Sequence, residues 1–547
     1  MAKLAAEDGI SFRQIATSVT IQKGLHALGF KDIPKSVNGV VLNISRFFQV
    51  LIESHKKDIQ KSKQTMKFSL VFDEWVSNAS KRYLNAVLLG SDNFWNLGLV
   101  RIFGSATSDN ILNLIKTHLM KYDLDFDHNI ACIITDGCSV MTCIGDLIKQ
   151  SVVPVQQQLC FAHAVQLAVV EVIYSGGFRE EAVNESNLDD EDDYLEDDWI
   201  SFDDENPEPL LNEQFFSMIQ NVRSTIRIFR KAPLKNETLQ KYVKSELGKE
   251  LMLILDCKTR WNSLCDMLER FLKLKDCIMI ALNILKIKPL LNDDDFDHLE
   301  KLVAALKPVK AIVEVLCRRD ANLIKADAAL NALLEHLQSQ ETDISRRLYF
   351  SLITKLKERR TIVSDVLKYL HSGSTQSPIH SHLSTRPLSI NRISKLIRFT
   401  INQGSNNNRD DQVPRDDLLD FLEEEEENEK SPSKKRKEDE DFRDFLNKAV
   451  DSSMEPKFSN ANQSESSVSA ELTTELDLFA TSNGSQRGKH LEFAFKSLLA
   501  ISPTSVESER AFSSASYLCN KFRSKLSDEN ICTLVSLRSH FKSLNKK

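Results

Sequence analysis

No Cys-x-x-Cys pair occurs in this chain, and its ten cysteines follow no pairing pattern. The absence argues against a disulfide framework and leaves reduced thiols in a reducing compartment as the expectation. Cys132, Cys277 and Cys317 lie inside apolar runs, where a cysteine reads as a small buried hydrophobe. No apolar run is long enough to cross a membrane, which excludes a bilayer-spanning helix. The N-terminus, MAKLAAEDGI, lacks the charged-then-apolar pattern of a signal peptide, so an intracellular protein without a membrane partner is expected. One stretch, Glu180 to Glu208, lacks bases altogether: EEAVNESNLDDEDDYLEDDWISFDDENPE carries fifteen acids. Such a composition stays solvated rather than packing.

What is present fits a globular protein of several parts. At 547 residues the chain has length for two to four domains, with 41% hydrophobic and 27% charged residues. The net charge of -7 conceals a contrast, because without the acidic stretch the remainder carries +8 by the same counting. That balance is consistent with a polyanion partner.

Residues 1–66 read as helical. Over 67–178 the style changes to short β-prone runs, KFSLVFDEW, RYLNAVLLGSD and LGLVRIF, followed by a helical period and then IACIITDG, an almost continuously apolar run of the central-strand type. QQQLCFAHAVQLAVVEVIY reads as one more strand or turn entering a helix. The order is therefore three strands, helix, strand. Residues 179–208 form the acidic loop, and 209–403 a long helical region. There Leu302, Leu306, Val309, Val313 and Leu316 make a stripe, with Pro308 expected to kink it. Residues 404–475 revert to low complexity and read as disordered around a short helix. They include the basic cluster KKRK at Lys434–Lys437, a weak nuclear-localisation pattern. From 486 to 547 the chain is helical again.

Three acids stand out. Alternation in KFSLVFDEW puts Phe68, Leu70 and Phe72 on one face and leaves Asp73 ending the strand on the other. IACIITDG also ends in an acid, Asp136, with Gly137 permitting a turn. Ligands of open α/β sheets gather at such carboxyl ends. The third is Glu509, which falls on the apolar stripe of Phe512, Ala515, Cys519, Phe522 and Leu526, where an unpaired charge is expensive. Its neighbour Glu507 reads as the partner of Thr504 in a capping box. Glu509 has two readings, an ion pair with Arg510, Arg523 or Lys525, or a place beside the aspartates at a metal site. Two-metal hydrolysis and transfer of phosphodiesters uses such carboxylates.

Five blocks in order carry a resemblance: FDEW with Asp73 and Trp75, TDGCSVM with Asp136 and Met141, CFAHAVQLAV with Cys160 and His163, TRWNS at Thr259–Ser263, and SERAFSSASYLCNKFRSKLSDENICTLVSLRSHF with Glu509. Together they resemble the hAT superfamily of DNA transposases and the proteins descended from them. The resemblance implies an α/β ribonuclease-H-like catalytic core interrupted by a large all-α insertion, with an α-helical N-terminal region and C-terminal dimerisation helices. It implies Asp73, Asp136 and Glu509 as catalytic ligands of Mg²⁺ or Mn²⁺ in metal-dependent DNA cleavage and strand transfer. It further implies Trp261, Arg260, Cys160 and His163 as DNA contacts, with an aromatic at Trp261 stacking on a displaced base. DNA and a second copy of the chain are the implied partners, and the nucleus the implied location. The family's BED-type zinc finger is not among these residues, which contain no cysteine before Cys132. A non-catalytic, transposase-derived nuclear protein that binds DNA or other partners and dimerises is the alternative.

Overall fold

The computed structural model describes residues 1–77, 80–150, 155–178, 209–257, 261–373, 382–383, 389–401, 442–452, 468–482, 484–519 and 526–544. The acidic stretch, the KKRK cluster and Arg260 lie outside them.

The three β-prone runs become β1 (Phe68–Val76), β2 (Arg82–Leu89) and β3 (Phe94–Arg101), paired antiparallel in sequence. β4 (Ile130–Thr135) and β5 (Gln156–Leu159) add in parallel on the other side of β1, giving the order β3-β2-β1-β4-β5. All six residues of β4 are buried, as its unbroken apolar run requires of a strand covered on both faces.

Alternation along β1 divides the core. Phe68, Leu70 and Phe72 pack with Ile111, Ile115 and Ile144 of helices Ser108–Met120 and Ser139–Gln150. Val71 and Ile134 face the helix Phe161–Ile173, which joins the helical region following residue 212 in one continuous apolar cluster. In the helix Asp293–Leu316 the stripe Leu302, Leu306, Val309, Val313 and Leu316 is buried, and the helix continues through Pro308. Among the described residues no helix is long and apolar enough to cross a membrane.

One helix, Phe442–Ser452, falls inside the stretch that composition marks as low-complexity, and a second, Val468–Thr481, begins in it and runs past its end. Leu446, Val450, Leu472, Leu476 and Phe479 are buried in the main cluster. A few apolar residues at helical spacing, diluted by polar neighbours, are enough to dock a helix.

The N-terminal helices, including the long Val37–Ser62, share a third cluster with the helices Val506–Leu518 and Asp528–Leu544 at the far edge of the sheet. The last helix lies close on β3. Gly98 adopts φ 96° where the β2–β3 register shifts, and a Cβ there would fall 2.9 Å from both Cys532 Sγ and Ser536 Oγ. Both backbone strain and this close approach therefore oppose a side chain at that position. Gly98→Ala is expected to lower unfolding stability by about 1–3 kcal/mol, read from the urea midpoint by circular dichroism. A variant as stable as wild type would show that the helix has room to retreat.

Candidate acidic site

The parallel pairing of β1 and β4 sets Val71 beside Ile134. Carried two residues further along each strand, that register brings Asp73 level with Asp136, just past Thr135. Both aspartates are half-buried at the sheet's carboxyl edge. Asp73 Oδ1 accepts from the Glu74 N–H at 2.7 Å, and Asp136 Oδ1 from the Cys138 N–H at 3.3 Å. The next acid along β1, Glu74, is taken up by Arg82.

Glu509 enters on the helix Val506–Leu518, which packs across β1 and β2. Phe512, one turn on, stacks on Trp75 with centroids 6.3 Å apart and planes 13° from parallel. Asp73 does not end its strand as expected, since β1 stays paired with β2 as far as Val76. Trp75 lies two residues beyond Asp73 on the same face, so the contact that seats the helix also sets Glu509 near Asp73. Glu509 keeps some solvent contact as a whole, but its Oε2 is sealed from water and has no hydrogen-bond partner. Its pKa is pushed up to about 8, mainly by burial, then by the charge of Asp73 and, less, Asp136; Arg510 opposes the shift. The three acids are thus electrostatically one group.

The ion-pair alternative fails for Arg510. That guanidinium bonds Glu507 and donates to the Cys317 carbonyl at 2.7 Å, while Arg319 donates to Glu507 at 3.2 Å. The expected capping box is absent for the same reason. The helix starts after Ser505 with no side-chain cap, Glu507 faces two arginines, and Thr504 Oγ1 is buried without a partner. Arg523 and Lys525 lie outside the described residues.

Cys160 is a junction. Its N–H donates to the Thr135 carbonyl at 2.9 Å, its sulfur accepts from the Ser505 N–H at 3.5 Å, and its carbonyl accepts from Arg359 Nη1 at 3.0 Å. Beside it the Phe161 N–H donates to the Pro503 carbonyl at 2.9 Å. The end of β4, the approach to the Glu509 helix and the helical region therefore meet at one buried residue. Burial pushes the Cys160 thiol up and leaves it no surface for DNA. In this conformation Cys160 joins three segments of backbone. His163, half-buried, senses Arg359 and Asp136, and burial with Arg359 draws its pKa down, so it is neutral at pH 7.

Trp261 does not open toward the site. It shares one helical face with Leu264, Cys265 and Leu268, all buried, and is itself 2% exposed. A base cannot stack on a ring covered in this way, so the expected stacking role does not fit this conformation. Its Nε1 has no hydrogen-bond partner. Arg359 was not legible in the sequence. It follows the helix Asp343–Lys357, in no motif, yet reaches the turn at Gly137.

Residues 482–541 match the family model described as the hAT family C-terminal dimerisation region, which covers the helices Lys489–Leu499 and Val506–Leu518 and most of Asp528–Leu544. The match marks the chain as hAT-transposase-like and supports self-association. A protein of Talaromyces stipitatus named as a candidate transcriptional regulator, tpeD, is 24% identical over 322 residues, 55% of this chain and 36% of that protein. The chain therefore matches little more than a third of that relative's length.

The raised pKa of Glu509 fixes the sign of a pH effect. The folded chain holds a proton there that the unfolded chain releases, so stability falls as pH rises from about 4.5 to about 8. Glu509→Gln lacks this loss. Its melting temperature is expected to exceed that of wild type at pH 9, with the gap closing below pH 4.5. Parallel melting curves across that range would show that Glu509 is not held protonated.

Proposed function

We propose that this hAT-transposase-like chain is the body of a DNA transposase, in which Asp73, Asp136 and Glu509 hold divalent metal for DNA cleavage and strand transfer, and in which residues 482–541 pair two copies. The observation that carries the reading is the convergence of three carboxylates from β1, the end of β4 and a late helix, with the Glu509 Oε2 buried and unpartnered among them. We read the sheet and its flanking helices as a ribonuclease-H-like core. The strand order, with three antiparallel strands followed by two parallel ones, supports that reading.

Among the described residues no three His, Cys, Asp or Glu side chains are arranged so that they could hold a metal ion, so binding one would require Asp73, Asp136 and Glu509 to draw closer together. Hard oxygen donors that leave a cage incomplete suit Mg²⁺ or Mn²⁺, which complete their shells with water and substrate phosphate. Such an ion polarises a phosphodiester and lowers the pKa of attacking water. The protein's own contributions are separate. Asp73 and Asp136 are fixed by strand pairing, Glu509 by the Trp75–Phe512 stack, and His163 offers a neutral hydrogen-bonding ring beside Asp136. Nuclear location follows from this reading and from the KKRK cluster.

A second reading, a non-catalytic DNA-binding or interaction protein that dimerises, is favoured by the name of the tpeD relative and by the open cage. Nicking of supercoiled plasmid decides between them. The wild-type chain is expected to nick with Mg²⁺ or Mn²⁺ and not in EDTA, with Asp136→Asn slower by about 100-fold or more. Nicking that is independent of metal, or equal in the variant, would defeat the enzyme reading. Self-association is tested by light scattering, with a mass of at least twice 62.2 kDa expected; a monomer at micromolar concentration would count against pairing.

A further inference from the structure

The group at the site that most needs a partner is a cation. Arg359 is 8% exposed, and a buried charge is costly unless it is paired. Among the described residues no carboxylate stands within ion-pair distance of it. Its sequence neighbour Arg360, by contrast, pairs with both Asp327 and Asp365.

Arg359 is nevertheless held firmly. Nη1 donates to the Cys160 carbonyl at 3.0 Å, and the Arg359 carbonyl accepts from Gln158 Nε2 at 3.2 Å. The guanidinium lies against Gly137, where a Cβ would fall 2.7 Å from Nη2 and 3.3 Å from Cζ. Glycine beside Asp136 thus leaves room for the cation. Burial lowers the Arg359 pKa while Cys160, Glu358 and Asp136 oppose the shift, which places the charge within reach of the acidic group. Three carboxylates alone would repel a phosphodiester. A planar guanidinium presents paired donors that match phosphate oxygens.

We propose that Arg359 is a phosphate anchor, binding a non-bridging oxygen of a DNA backbone phosphate alongside Asp73, Asp136 and Glu509, so that the helical region supplies the cationic side of the site. This deepens the function proposed above and rests on that cluster acting on DNA. A DNA phosphate completes the pairing that Arg359 lacks among the described residues. The carbonyl bond to Cys160 aims the head, and the missing side chain at Gly137 leaves the head its place.

The test is DNA binding by the full chain without metal, followed by fluorescence anisotropy of a short labelled duplex in EDTA across a salt series. Arg359→Gln keeps a donor for the Cys160 carbonyl but removes the charge. It is expected to bind about 10-fold more weakly, with the slope of log affinity against log salt reduced by about one. Arg359→Lys is expected to keep the slope and recover only part of the affinity. A cooperatively melting Arg359→Gln variant with wild-type affinity and slope would overturn the proposal, as would a wild-type chain that does not bind DNA at low salt. Should Arg359→Gln lose its cooperative melt, Arg359→Lys decides: weaker binding at unchanged slope upholds the anchor and wild-type affinity removes it. Because metal is absent, failure to nick plasmid with Arg359-dependent binding intact defeats only the catalytic reading. Metal-dependent nicking by wild type with unaltered binding by Arg359→Gln defeats only the anchor.

Discussion

Parallel pairing of β1 with β4 is the constraint on which the site depends. Side chains alternate along a strand, so a shift of one residue in that register would turn one aspartate to the opposite face of the sheet. The shift is opposed by burial. Phe68, Leu70 and Phe72 fill one core and Val71 and Ile134 the other, and no slipped register satisfies both. Two carboxylates are thereby brought together at some electrostatic cost, which packing elsewhere in the sheet offsets.

The third carboxylate is placed by different means. The helix carrying Glu509 has no side-chain cap, and its position comes from attachments on either side of the acid. Ahead of it, Pro503 and Ser505 bond to Phe161 and Cys160. Behind it, Phe512 stacks on Trp75. Arg510 and Arg319 converge on Glu507, and Arg319 also lies over the Phe94 ring at 4.3 Å, which ties the helix to the start of β3. Pairs of residues that look like fragments of short motifs in the sequence are, in space, the two halves of these contacts.

This explains what was legible in the sequence. Asp136 follows directly on a strand whose apolar pattern is unambiguous, Asp73 marks where the apolar alternation of β1 stops although the strand runs on to Val76, and Glu509 interrupts a helical stripe, so each announced itself locally. Cys160 and His163 were visible as a motif, but the motif did not say that the sulfur accepts a backbone N–H and faces no solvent. Thr504 and Glu507 have capping-box spacing, yet Arg510 one turn along the same helix and Arg319 from a distant segment captured the glutamate. Trp261 shares a buried helical face with Leu264, Cys265 and Leu268, a spacing that the sequence also contains. Arg359 gave no signal, because an arginine after an ordinary amphipathic helix is unremarkable until the fold sets it beside Gly137.

The separation of the acids along the chain has a consequence for synthesis. A ribosome that has passed β5 has already released everything needed to form the sheet and to bring Asp73 against Asp136. Glu509 emerges only after the entire helical region, and the helix Asp528–Leu544 that lies on β3 emerges later still. Whatever the acidic group does is therefore withheld from a nascent polypeptide until the helical region has emerged and the third carboxylate follows it.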